Sequence, residues 1–86
     1  MKAQIAIARN LRRLRVLRGL SQESLAVDAG IDRTYVSRLE RGIENPTVAI
    51  LERLSKALRA EIVEFFDAAK VAKGPVKPLP RGRRPK

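Results

Sequence analysis

The strongest constraint on this chain is the stretch Gln22–Glu40, QESLAVDAGIDRTYVSRLE. Two short runs with apolar residues at helical spacing flank Gly30-Ile31-Asp32. Ser21 suits the start of the first run, because its hydroxyl can accept from an unpaired backbone N–H of the opening turn. Leu25, Ala26 and Ala29 fall on one face, and the two small alanines allow a second helix to approach closely. Gly30 supplies the positive φ expected where a helix ends. Asp32 can cap the second run, with its charge at that helix's positive end. Within that run Val36 and Leu39 face inward. Arg33, Thr34, Ser37 and Arg38 face largely outward, with Tyr35 at the flank. Helices this short cannot bury their apolar faces alone, so the remaining segments must clamp the pair.

Those segments also read as helices. The first runs from Ala3 or Gln4 to Arg18, with Ile7, Leu11, Leu14 and Arg18 on one face and Gly19 ending it. Arg9, Arg12 and Arg13 lie off that stripe. Arg15 and Glu40 each border an apolar face and carry opposite charge, which points to an ion pair between the first and third helices. Arg41–Pro46 is a loop punctuated by Gly42 and Pro46. Thr47 caps a fourth helix, Val48 to Leu58, with Val48, Leu51, Leu54 and Leu58 as its buried stripe. A fifth helix is expected over Glu61 to Lys70. It has more apolar residues than one stripe needs. Ile62 and one phenylalanine would close the core, leaving Val63 and Phe66 as a second, exposed face.

The segment GLSQESLAVDAGIDRTYVSRLERG, continued by NPTVAILERLSKAL, resembles the helix-turn-helix of the Cro and phage-repressor family, the xenobiotic-response-element type. The resemblance covers roughly residues 5 to 67, and the Gln, the small Ala, the turn Gly and the Leu-Glu pair all fall at family spacing. It implies an all-α, five-helix, lambda-repressor-like DNA-binding domain. By the same resemblance the third helix enters the major groove. Arg33, Thr34, Ser37 and Arg38 would then stand against base edges, and Arg33, Thr34 and Arg38 would read them. Gln22, Tyr35, Arg41 and Thr47 would hold phosphates, with Ser37 also within reach of one and Gln22 alternatively bracing the reading helix. Arg15 and Glu40 pair in relatives, and relatives often dimerise where Val63 and Phe66 lie. The Arg59-Ala60 turn departs from the family, where Gly is frequent.

Charge divides the chain. Seven of the 19 basic side chains and none of the nine acidic ones fall in residues 70–86, so the net +10 separates into +7 there and +3 before. Residues 1–69 are expected to form the folded domain, with the helix-turn-helix at about 21–40. Residues 70–86 are expected to be a disordered, Pro- and Gly-rich basic tail. Its end, PRGRRPK, resembles an AT-hook core. Arg81, Arg83 and Arg84 would form an auxiliary DNA arm, either lying in a narrow minor groove or adding affinity without reading sequence.

With no Cys and no His, the chain lacks the usual metal ligands and the commonest acid–base and nucleophilic groups, so no enzyme, metal or cofactor is expected. A basic balance favours nucleic acid over membrane, and a cytoplasmic location is expected. The leading function is a bacterial or phage transcriptional regulator that reads an inverted-repeat operator as a homodimer. Small controllers of restriction–modification genes fit this size. The alternative is an antitoxin that binds a toxin protein and autoregulates its operon. RNA polymerase is a further possible partner, through acidic Glu23, Asp28 or Glu44.

Overall fold

The computed structural model describes residues 2–69. They form α1 (Ala3–Leu17), α2 (Gln22–Ala29), α3 (Arg33–Glu40), α4 (Val48–Leu58) and a 3-10 helix (Ile62–Phe66). The tail expectations, including Arg81, Arg83 and Arg84, lie outside the described residues.

Each helix boundary has a local cause. Ser21 Oγ accepts from the Ser24 N–H at 3.0 Å and opens α2. Asp32 Oδ2 accepts from the Thr34 N–H at 3.0 Å and opens α3. Thr47 Oγ1 accepts from the Ile50 N–H at 3.1 Å and opens α4. Gly30, at φ 70°, closes α2. The Ile31 N–H then reaches Ala26 O at 2.9 Å, which satisfies a carbonyl left over at the helix end.

The core is aliphatic. Ile7, Leu11 and Leu14 of α1 meet Leu25, Ala26 and Ala29 of α2, Val36 and Leu39 of α3, and Leu51, Leu54 and Leu58 of α4. Phe65 of the 3-10 helix is fully buried among them. α1 packs on α3 and on the 3-10 helix, while α2 packs on α3 and α4. α3 is thereby held from two sides, with its opposite face left outward.

Two expectations need correction. The five-helix count gives way to four α-helices and one 3-10 helix among the described residues. Helical geometry does not run from Glu61 to Lys70, because the backbone becomes extended at Asp67, ψ 90°. The reason lies in α1. Asn10 is completely buried, and its Nδ2 donates to Phe65 O at 3.0 Å and to Asp67 O at 3.2 Å. A continuous α-helix would direct these carbonyls at amides further along the chain. Instead they converge on one side-chain amide. The second correction is Val48, placed on the buried stripe of α4 but 68% exposed. It is the first helical residue, and side chains lean toward the helix N-terminus, so it projects beyond the bundle.

Candidate nucleic-acid interface

α3 carries the side chains of interest. Val36 and Leu39 anchor its inner face, so its rotation is set by core packing. With that rotation, Arg33, Thr34 and Arg38 are exposed, while Tyr35 and Ser37 are half-buried at the margins. Arg41 is exposed just past the helix end, and Thr47 is exposed at the start of α4 with its hydroxyl oxygen occupied in the cap.

The tilt of α3 is governed by a second set of contacts. Arg15 Nε donates to Glu40 Oε2 at 2.5 Å, and Arg15 Nη2 donates to Glu40 Oε1 at 3.0 Å. This two-point geometry suits a guanidinium against a carboxylate. The side chains are 14% and 5% exposed, so little solvent screens the pair. Arg15 Nη1 also donates to Leu20 O at 2.8 Å. Gln22 Nε2 donates to Glu40 Oε1 at 3.0 Å. α1 and α2 thus converge on one carboxylate at the end of α3, and Arg15 also ties in the turn between them through Leu20 O. The hydrogen bond to Glu40 raises the Arg15 pKa, opposed by burial and aided by the Glu40 charge. Tyr35 is also raised, first by burial and then by the charge of Glu44.

The structure brings together a pair that the sequence reading did not join. Arg38 Nε donates to Glu44 Oε2 at 2.5 Å, an ion pair between a proposed base reader and the following loop. Two other brackets were also missed. Arg18 Nε donates to Leu58 O at 2.6 Å and its Nη2 to Arg59 O at 3.1 Å, closing the end of α4. Asn10 accepts from Arg13 Nε at 3.2 Å and Nη2 at 3.1 Å while it holds the 3-10 helix. A signal existed for both: each is a polar side chain at an apolar-stripe position of α1. Val63 and Phe66 are exposed, at 70% and 44%, on the far side of the 3-10 helix. Among the described residues no cluster could hold a metal ion, and no helix is long and apolar enough to cross a membrane.

Comparison with known proteins agrees with this geometry. The HTH_3 helix-turn-helix family model matches residues 11–65, more than half of the chain. The HTH-type transcriptional regulator SlrR of Bacillus subtilis is 41% identical over 63 residues, 72% of this chain and 41% of SlrR. The chain therefore spans less than half the length of that regulator. Control protein C.SmaI of Serratia marcescens is 41% identical over 60 residues, covering 70% of this chain and 71% of that protein. The crystal structure of the restriction-modification controller protein C.AhdI from Aeromonas hydrophila gives a TM-score of 0.71 at 41% identity. That match covers 73% of this chain and 96% of C.AhdI. An exposed, capped α3 on an aliphatic frame, together with these matches, shows that the chain belongs to the Cro/C1-type helix-turn-helix family of DNA-binding transcription regulators.

Proposed function

We propose that the protein is a transcriptional regulator that reads an inverted-repeat operator as a homodimer, with α3 of each copy in the major groove. One observation carries the reading. Arg33, Thr34 and Arg38 are exposed on a helix whose rotation is set by Val36 and Leu39 and whose end is tied through Glu40. Positioning of this kind is what base readout requires, because a bidentate arginine–guanine contact tolerates little misplacement.

Arg33, Thr34 and Arg38 are the base readers in this proposal, with Ser37 beside them. Tyr35, Arg41 and Thr47 contact phosphates, together with the amides that open α4. Gln22 acts mainly through Glu40, to which it is already bonded. Val63 and Phe66 form the contact between copies, since both are apolar and exposed on one short helix. Residues 1–69 form the DNA-reading domain and residues 70–86 a basic arm that adds affinity. The relatives reported above are named as a regulator and control proteins, which supports regulation over the antitoxin reading.

Selection of bound duplexes from a random pool, with the full chain near physiological salt, tests the reading. The expected result is an enriched inverted repeat with at least one guanine in each half-site. Its half-site centres should lie about one DNA turn, ~34 Å, apart. Salt-sensitive binding without enrichment would remove the operator-reading role and turn attention to a protein partner.

A further inference from the structure

The loop Arg41–Pro46 is folded back over the end of α3. The Ile43 N–H donates to Arg38 O at 3.2 Å, and the Gly42 N–H donates to Leu39 O at 3.0 Å. Gly42 holds φ +76°, and a Cβ there would stand 3.1 Å from Ile5 Cδ1. On the α1 side, Gln4 Nε2 donates to the Glu44 carbonyl at 2.9 Å. The backbone that carries Glu44 is therefore fixed from two directions. From it the carboxylate accepts a hydrogen bond from Arg38 Nε, with the two side chains 24% and 45% exposed respectively. Only Nε is engaged. Among the described residues, Nη1 and Nη2 of Arg38 have no hydrogen-bond partner.

We propose that Glu44 is a positioning and specificity-determining residue: it holds Arg38 by Nε, aims Nη1 and Nη2 at a guanine, and withholds the guanidinium from phosphates. This rests on Arg38 being a base reader. An untethered arginine can neutralise any nearby phosphate, which adds affinity without preference. A tethered one reaches a phosphate only by abandoning Glu44, leaving that carboxylate unpaired beside a polyanion. The wrong complex is thus penalised by a repulsive group, while the right one keeps every contact. Guanine O6 and N7 accept from the two terminal nitrogens, and the Nε–carboxylate bond persists. As an exposed ion pair, Arg38–Glu44 contributes little to stability. Its effect is on how binding free energy is divided between phosphate and base.

The test uses the full chain as wild type, Glu44→Gln, Arg38→Ala and the double variant. Glu44→Gln keeps the backbone acceptor used by Gln4, and a thermal melt checks its fold. Affinity for a random-sequence duplex is measured across a salt series, and base preference by selection from a random duplex pool. Arg38→Ala is expected to abolish preference for one guanine in each half-site. Glu44→Gln is expected to weaken that same preference at least about fivefold. It should also tighten binding to the random-sequence duplex and steepen log K against log salt by about 0.9, as the freed Arg38 takes one phosphate. In the Arg38→Ala background that increment should vanish. An equal increment in both backgrounds, or an unchanged guanine preference in Glu44→Gln, would overturn the proposal, because Glu44 would then act only through net charge. Preference left intact by Arg38→Ala would overturn the base-reading role of Arg38 itself, a distinct failure.

Discussion

Arg15 and Gln22 fix the end of α3 by pairing with the Glu40 carboxylate. The Arg15–Glu40 pair is shielded and bidentate. Such a pair need not exceed two well-packed apolar residues in net stability, but stranding one member is costly. Arg15→Ala is expected to destabilise the domain by about 3–5 kcal/mol, and Arg15→Met with Glu40→Leu to recover most of that loss. Urea denaturation of the two variants provides the measurement. Tyr35 carries a pH effect of definite sign. Its folded pKa is raised above the ordinary 10.0, first by burial and second by Glu44. The native state therefore binds the phenolic proton more tightly than the unfolded chain. The associated stability is fully present below pH 10.0 and is lost as pH rises through the folded pKa. Thermal melts carried upward from pH 10.0 should show wild type falling more steeply than Tyr35→Phe. Sequence position made some of these pairings legible. Arg15 and Glu40 border apolar stripes and had to turn toward one another. Arg38 and Glu44 gave no such sign, because both read as ordinary solvent-facing charges.

The elements depend on their ends as much as on their stripes. Gly30 and Arg59 both close a helix in the left-handed conformation, at φ 70° and 53°. Glycine takes that conformation freely, whereas a side chain costs about 1–2 kcal/mol there. Opposite substitutions should therefore have opposite effects. Gly30→Ala is expected to cost about 1–2 kcal/mol, with no clash added, since nothing lies within 4 Å of the new Cβ. Arg59→Gly should stabilise by about 0.5–1 kcal/mol, or a few degrees in Tm, and it retains the carbonyl that Arg18 uses. Calorimetry of the two variants would show both signs. The caps Ser21, Asp32 and Thr47 and the turn at Gly30 were readable, because capping is local chemistry, whereas the Arg59-Ala60 turn stood out only as a departure from the resembled family. The last element was not readable. Its apolar residues fit an α-helix, and only Asn10, about fifty-five residues away in sequence, draws Phe65 O and Asp67 O out of that geometry.

At the scale of the whole molecule, charge and apolar exposure lie in different places. Residues 70–86 hold +7 of the net +10, and the exposed Val63 and Phe66 sit near the end of the described domain. Deleting residues 70–86 is expected to flatten the dependence of log K on log salt by several units, up to about six, since each neutralised phosphate releases counterions. Selection from random duplex should recover much the same half-site from the truncated and full chains. A truncation that lost base preference along with the salt dependence would instead assign the arm a reading role in the minor groove.

The sequence by itself determined the all-helical class, the helix-turn-helix, its caps and the outward set Arg33, Thr34 and Arg38. These follow from periodicity and from hydrogen bonds made within a few residues, which need no knowledge of the rest of the chain. Tertiary structure decided which polar side chains bind across the fold: Asn10 to the 3-10 helix, Arg18 to the end of α4, Gln22 to Glu40, and Glu44 to Arg38. Helical spacing constrains which way a side chain leaves its own helix. What it meets depends on the angle and separation of a second helix, and the packing of the aliphatic core sets these.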